Sequence, residues 1–227
     1  MNFRATPLRR LALAVLALCL SAQAFAGWYQ VEVMIIAHTS TTPGESSREL
    51  PYPDYAADAV ALGVTDGPRL PDQAHPALHE ATIDGIRNGA WQAGTDALTL
   101  TDMGQRMTQS GKYRVLFHQR WRQPLDDGAP AIPVYLEGGE QIAAPPALRI
   151  GEPVDSAQPA APASELQGTL QLSLSRSLQV DTDLWLAGTT HDGQRYFSPM
   201  RESRRLGESE LHYLDSPRLG VLIRVAR

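Results

Sequence analysis

The sequence predicts a single α+β domain: a strand-helix-strand unit, then a mainly antiparallel β-meander, with helices packed on the sheet. Three observations favour this class. A β-branched apolar run lies near the start of the chain, a helical repeat with its own stop signal follows, and alternating segments separated by turns fill the second half. A chain of 227 residues is long enough to bury the core of one such domain.

The first predicted strand covers residues 31–37, Val-Glu-Val-Met-Ile-Ile-Ala. Its second half is continuously apolar, which is typical of a central strand buried on both faces. From residue 39 to 96, prolines interrupt every pattern, so we expect only short helices near residues 55–62 and 78–91.

A helix and a half-buried strand are predicted next. Leu100, Met103 and Met107 recur at helical spacing, and Gly111 suits the left-handed position that ends a helix. Residues 113–121 then alternate in polarity. The side chains expected inside are Tyr113, Val115, Phe117 and Trp121, and those expected outside are Arg114, His118, Arg120 and Arg122.

The second half reads as a series of antiparallel strands. Residues 138–164 are rich in proline and alanine, which predicts a flexible insertion within the domain. Alternation resumes at residue 170 and continues to 186, with a possible bulge at residues 175–177. The Asp-Gly pair within residues 191–194 predicts a hairpin turn. Further strands are expected at residues 195–205, 211–214 and 219–225.

The first 26 residues have the features of a cleaved signal peptide. Arg4, Arg9 and Arg10 precede ten apolar residues, and the small residues around Ala26 suit signal peptidase. The apolar run is shorter than the roughly 20 residues that a membrane-spanning helix needs. We therefore expect cleavage between Ala26 and Gly27, a domain at residues 27–227, and a periplasmic location reached by the general secretion route.

Composition excludes several classes of site. Cys19 is the only cysteine and lies in the predicted leader, so the mature chain has no disulfide, thiolate metal site or cysteine nucleophile. The chain has 20 basic and 25 acidic residues, and loss of three leader arginines gives a net charge of −8. Residues 106–122 nevertheless hold five basic residues and no acid. This segment indicates either a polyanionic or carboxylate-bearing partner, or arginines that are solvated on strand faces and pair with acids elsewhere; nucleic acid is disfavoured for an acidic secreted chain.

Known catalytic motifs are absent from the sequence. It has no nucleophile elbow, zinc-protease motif, phosphate loop or dinucleotide fingerprint, so we expect no enzyme activity and no cofactor. His75 and His79 have the spacing of metal ligands on a helix, but no third ligand is evident, and we expect no metal. Asp181 and Asp183 share a strand face and are read as solvated.

A ligand surface is predicted from two basic segments with aromatic residues. Arginine forks match carboxylates, and aromatic faces stack on sugar rings, so a carbohydrate that carries acidic peptides fits this chemistry. For Trp121 the alternative is a place in the core. The predicted ligand-binding residues are Arg114, His118, Arg120, Trp121, Arg122, Arg204, Arg205 and Tyr213.

Four sequence blocks resemble the CsiV family: residues 28–35, 106–124, 168–186 and 202–223. The resemblance implies a periplasmic protein of the Gram-negative envelope that binds peptidoglycan and supports cell-wall assembly. It also implies possible partners, an outer-membrane lipoprotein activator or a penicillin-binding protein. The family brings no catalytic residues. The Pro/Ala-rich insertion departs from a compact pattern, so we expect it to be dispensable.

Two other functions stay open on the sequence. One is a secreted hydrolase whose site combines His118 or His212 with a distant aspartate. The other is an interaction module that binds a partner at an exposed sheet edge. The missing motifs and the uneven charge favour the binding protein over the hydrolase.

Overall fold

Strands dominate the part of the chain that the structure describes. This computed structural model describes residues 27–39, 59–62, 70, 78, 80–87, 91, 97–143, 162–189 and 195–227. Within them the elements are β1 (Gly27–His38), β2 (Val60–Ala61), α1 (Glu80–Arg87), α2 (Thr101–Gln109), β3 (Tyr113–Leu125), β4 (Ile132–Ala143), β5 (Pro162–Leu174), β6 (Leu178–Thr189), β7 (Arg195–Leu206), β8 (Leu211–Asp215) and β9 (Leu219–Ala226).

The strands form two sheets. The first has the order β3-β1-β9-β8, and all its neighbours pair antiparallel. The second has the order β2-β4-β5-β6-β7, in which β2 is parallel to β4 and the other pairs are antiparallel. The predicted α+β class therefore holds in its coarse form, because the described residues are mostly strands and include two short helices.

The main core lies between the two sheets. Val33 and Ile35 of β1 belong to the same buried cluster as Leu170 of β5 and Leu184 of β6. A second, smaller cluster lies on the other side of the first sheet, where Met34, Ile36 and Leu222 pack with α2 residues. Because both faces of β1 are covered, its continuous apolar run is explained, and the prediction of a central strand is confirmed.

The predicted helix and its end are also confirmed. α2 covers Thr101–Gln109, and Gly111 has φ +71°, the left-handed conformation that glycine adopts without a steric penalty. α1 falls within the expected helix at residues 78–91. The expected helix at 55–62 is wrong where it is described, because Val60 and Ala61 pair with β4 as a short strand.

A β-bulge changes which side chains of β3 share a face. Ile35 pairs with Phe117 but Ile36 pairs with Val115, so Leu116 is an extra residue in β3. Val115 consequently packs on the α2 side of the sheet, whereas Phe117 enters the main core. The predicted single alternation along β3 is therefore wrong below residue 117.

The predicted insertion at residues 138–164 overlaps two paired strands. β4 continues to Ala143 and β5 begins at Pro162, so both ends of the range 138–164 are paired strands. Residues 144–161 lie outside the described residues. Gly138 approaches the Leu116 carbonyl oxygen so closely that no Cβ would fit there, which explains a glycine inside a strand.

Two connections in the second half also differ from expectation. Residues 175–177 are a turn between β5 and β6, not a bulge in one long strand, because Leu174 pairs with Leu178 across it. β6 and β7 pair antiparallel up to Thr189 and Arg195, as the predicted hairpin requires, although its turn lies outside the described residues. β8 and β9 leave the meander and complete the first sheet.

Candidate functional site

Polar side chains surround the first turn of α2 on one face of the first sheet. Met34 and Ile36 of β1 pack beneath this helix. Glu32 precedes Met34 on the same face, since side chains alternate along a strand. The strand register places Glu32 between Arg120 of β3 and Arg224 of β9. An acid on the central strand is thus brought next to two cations and the start of a helix.

Glu32 is held by four hydrogen bonds. Its Oε1 accepts the backbone N–H groups of Thr99 at 2.7 Å and Leu100 at 2.9 Å, and its Oε2 accepts the Thr99 hydroxyl at 2.6 Å. The Nε2 atom of His118 lies 3.0 Å from Oε1, and because a carboxylate can only accept, this nitrogen donates. The Glu32 side chain is 4% exposed. It satisfies amides at the start of α2 that the helix itself leaves unpaired.

The Glu32 carboxyl is stabilised in its ionised form. Burial raises its pKa, but the hydrogen bonds from the Thr99 hydroxyl, from His118 and from the two backbone amides together outweigh burial, so the pKa of Glu32 is lowered. The resulting negative charge lies where the positive end of the helix dipole favours it. Glu32 is therefore an electrostatic anchor for α2.

Two arginines form hydrogen bonds with residues 97–100, the segment that precedes α2. Arg120 donates from Nη1 to the Ala97 carbonyl at 2.7 Å, and its Nη2 bonds the Gln30 side chain. Arg224 donates to the Thr99 hydroxyl at 2.8 Å. Arg120, predicted as a ligand contact, is thus already engaged with its own chain, and its first role is to position residues 97–100.

A groove of about 380 Å³ runs between α2 and β3. This α2–β3 groove has an apolar floor of Met34 and Val115, and its size lies in the lower part of the range of small-molecule sites. The other lining residues are Thr101, Gly104, Gln105, Thr108, Gln109 and His118. Hydroxyls and carboxamides both donate and accept hydrogen bonds, so the groove suits a neutral ligand rich in hydroxyl and amide groups.

His118 links the groove to the Glu32 anchor. Its side chain is 13% exposed, with Nε2 bonded to Glu32, and the residue also lines the groove. The role of His118 as a ligand residue stays a prediction, and its orientation comes from Glu32, a partner that sequence reasoning did not identify.

Arg122 is the exposed cation that continues this face of β3. Its guanidinium carbon lies 5.6 Å from the centroid of the Trp28 ring, a cation–π geometry. Trp28 in turn packs beside Gly85 of α1. The guanidinium is thus oriented by an aromatic ring, with its hydrogen-bonding edges available to a carboxylate.

Arg114 pairs with acids of the second sheet, and Trp121 occupies the inward position that the alternation of β3 predicts for it. Arg114 lies beside Glu165, with Nη1 2.8 Å from Oε1 and Nη2 donating to Oε2 at 3.0 Å, and it also pairs with Glu140 at 3.4 Å. The hydrogen bond to Glu165 raises the pKa of Arg114. Trp121 is 1% exposed and donates to the Gln123 side chain, so its ring is part of the core and has no face for a sugar.

The remaining predicted ligand residues lie on β7 and β8, away from the groove. Arg204 and Arg205 are exposed on β7, and Arg204 donates to the backbone carbonyl of Tyr213 at 2.5 Å. Tyr213 is 36% exposed on β8. The structure therefore does not unite all predicted residues in one site. Gly27 is the first residue of β1, and Ala26 lies outside the described residues, so the cleavage site stays a prediction.

Among the residues that the structure describes, neither histidine of the hydrolase alternative has an aspartate as its hydrogen-bond or ion-pair partner. His118 bonds Glu32, whereas His212 accepts the Gly207 amide at 2.8 Å and lies 3.7 Å from Glu210. The His212 contact holds the Gly207 backbone, and the His118 contact joins two side chains. In the described ranges, no group of three or more His, Cys, Asp or Glu side chains could hold a metal ion, and His75 and His79 lie outside these ranges.

Sequence reasoning missed Glu32, the residue around which the site is organised. A signal was present, because Glu32 is the one charged residue in the strand 27–37, which is otherwise buried and largely apolar. A charged side chain in the middle of a central strand requires partners. Its partner Thr99 could not be found, because it lies 67 residues away in the chain.

Comparison with known proteins identifies the family. A family model described as "Peptidoglycan-binding protein, CsiV" matches residues 10–227, nearly the whole chain. The chain belongs to the CsiV family. No curated protein and no solved structure gave a match. The description of the CsiV family is that of a binding protein and not of an enzyme. No helix within the described residues is long and apolar enough to span a membrane.

Proposed function

We propose that this chain is a non-enzymatic peptidoglycan-binding protein whose ligand lies along β3, from the α2–β3 groove to Arg122. The family description supports the ligand class. The observation that carries the location is that the groove and the exposed guanidinium lie on the same face of the same strand. His118 lines the groove and Arg122 follows four residues later, a separation of about 13 Å along a strand.

The α2–β3 groove and Arg122 complement two different parts of peptidoglycan. The groove offers the hydroxyls of Thr101 and Thr108 and the carboxamides of Gln105 and Gln109 above an apolar floor. These groups complement the hydroxyl and acetamido groups of the glycan, whose methyl group the floor would contact. Arg122 complements a stem-peptide carboxylate, because the guanidinium fork can bond both carboxylate oxygens.

A sedimentation assay with purified sacculi tests this proposal. The chain from residue 27 onward is mixed with sacculi at several salt concentrations, and muropeptide profiles are recorded before and after. We expect binding that weakens with salt but persists, since the groove contacts are uncharged and only the Arg122 contact is screened. Absence of binding at low salt would overturn the proposal, and altered muropeptides would establish the hydrolase alternative instead.

The proposal includes a periplasmic location in a Gram-negative envelope. The leader at residues 1–26 supports it through its basic start, its apolar run and its small-residue exit. Mass spectrometry of protein from the periplasmic fraction is expected to find Gly27 at the N-terminus. A chain that retains the leader, or that carries lipid on Cys19, would contradict this part.

The finer role is support of cell-wall assembly through an outer-membrane lipoprotein activator or a penicillin-binding protein. The surface that favours a protein partner is β7, an edge strand of the second sheet whose residues 201–205 are all exposed. Arg204 and Arg205 lie within this stretch. Crosslinking from these two positions in intact cells is expected to capture an envelope protein of synthase function, and crosslinks to glycan alone would contradict the role.

A further inference from the structure

Tyr213 is an exposed aromatic residue that the groove does not use. Among the large hydrophobic residues that the structure describes, Tyr213 is the exposed one, with a relative accessibility of 36%. A Cβ placed on Gly220 would lie 2.7 Å from both Cε2 and the phenol oxygen of this ring. The Tyr213 ring therefore lies directly on the backbone of Gly220, and a larger residue at 220 would displace it.

Hydrogen bonds hold the ring in this position. The Tyr213 hydroxyl donates to Asp215 Oδ1 at 2.7 Å, and His38 Nε2 lies 3.2 Å from the same carboxylate oxygen. The His38 ring makes an edge contact with Tyr113, with 5.3 Å between centroids. Burial and the bond to Asp215 raise the pKa of Tyr213, so the phenol stays neutral. The exposed Tyr213 ring is thus held at its hydroxyl by Asp215 and is packed against the Gly220 backbone.

Polar groups border the exposed side of this ring. The Asp215 side chain is 57% exposed, and His38 lies beside it. A fixed aromatic face attracts the weakly positive C–H groups of a pyranose ring, because the ring quadrupole is negative on its face. A carboxylate at the border accepts hydrogen bonds from sugar hydroxyl or amide N–H groups. Together these groups suit an uncharged saccharide and disfavour an anion, since Asp215 is acidic.

We propose that Tyr213, Asp215 and His38 form a saccharide-binding platform for an N-acetylated sugar of a glycan chain. The inference rests on the proposed function and adds a second contact to it. Tyr213 and Asp215 lie on β8, at the sheet edge opposite β3, and none of the three platform residues lines the α2–β3 groove. It recognises the glycan itself, whereas Arg122 recognises the peptide.

The test uses a peptide-free probe, a water-soluble oligomer of β-1,4-linked N-acetylglucosamine. Titration is followed by NMR of the folded chain, with the side-chain resonances of His38 as the readout in every variant and those of Tyr213 as a second readout in the wild type. We expect the oligomer to shift these resonances. Tyr213→Leu is expected to weaken binding roughly 3- to 10-fold, the range of one aromatic contact, while Tyr213→Phe keeps the stacking face and most of the affinity.

Asp215→Asn and Asp102→Asn form a matched pair of charge removals, since Asp102 is an exposed acid on α2. We expect only Asp215→Asn to reduce binding of the oligomer. Unmoved Tyr213 resonances, or equal affinity of Tyr213→Leu and wild type, would overturn the platform. If Tyr213→Leu does not fold, the platform is judged from two other results. The oligomer must shift the Tyr213 resonances of the wild type, and Tyr213→Phe must keep most of the affinity. Sacculi that bind both Tyr213→Leu and the wild type equally would remove the platform and leave the proposed function intact.

Discussion

The carboxylate of Glu32 and the imidazole of His118 are joined by a 3.0 Å hydrogen bond between the central strand and the edge strand of the first sheet. The same carboxylate oxygen accepts the amides at the start of α2. One residue therefore holds both walls of the α2–β3 groove: the helix through the two residues that precede it, Thr99 and Leu100, and the strand through His118. Glu32 has a structural role, and the residues that we propose to contact the ligand lie on the elements that it holds in place.

Glu32→Gln is expected to destabilise the fold. The amide has one oxygen in place of two acceptor oxygens, and its NH₂ group would face donors that the carboxylate now satisfies. Leaving buried polar groups unpaired costs roughly 1–3 kcal/mol each, so we expect a loss in that range in urea unfolding. Glu208→Gln, at an exposed position, is the control. Equal stability of both variants would contradict the anchor role.

The contribution of Glu32 is expected to depend on pH. Because its folded-state pKa is lowered, the ionised carboxyl stabilises the fold above the unfolded-state pKa, which is about 4.3, and this stability is lost as the pH falls through the folded-state value. The difference in unfolding free energy between wild type and Glu32→Gln is therefore expected to be constant near pH 7 and to shrink below about pH 4. A difference that grows on acidification would refute the assignment.

Arg120→Gln and Arg122→Gln are expected to act differently. Arg120 bonds Ala97 and Gln30, so its loss is expected to lower the melting temperature by several degrees through roughly 1 kcal/mol per broken bond. Arg122 is exposed, and its replacement is expected to leave the melting temperature unchanged and to weaken binding to sacculi a few-fold at low salt. A loss of stability in Arg122→Gln, together with a loss of binding but not of stability in Arg120→Gln, would contradict this assignment of roles.

The chain between β4 and β5 is expected to be replaceable by a short turn. Ala143 and Pro162 are paired residues, so the ends of this connection lie side by side. Replacing residues 144–161 with an Asn-Gly turn lowers the entropic cost of closing the loop by only about 2 kcal/mol. We expect a melting temperature within a few degrees of wild type. A larger fall would show that the removed residues pack on the fold.

The sequence was informative where periodicity alone determines structure. β1 and α2 were predictable because an apolar run and a helical repeat require no knowledge of distant partners. β4 was missed because Gly138 and Gly139 break its alternation, and their role depends on close approaches to Leu116 and Glu165. The pairing of β9 with β1 brings together segments almost 200 residues apart, which no local pattern specifies.

The candidate site was only partly predictable for the same reason. Basic residues of β3 could be counted, but their partners could not. The bulge at Leu116 directs Arg114 toward Glu165 of the second sheet, and Arg120 reaches Ala97 ahead of α2. Arg122 kept its predicted exposure because its neighbour is an aromatic ring and not an acid.

The most direct test of the central claim is binding of sacculi by a groove-blocked variant. Thr108→Trp places an indole at an exposed position that lines the α2–β3 groove, and Asp102→Trp places one on the same helix outside it. With both variants folded, as shown by their thermal unfolding, we predict that Thr108→Trp loses binding while Asp102→Trp binds as the wild type does. Undiminished binding by Thr108→Trp would contradict the claim that peptidoglycan occupies this groove.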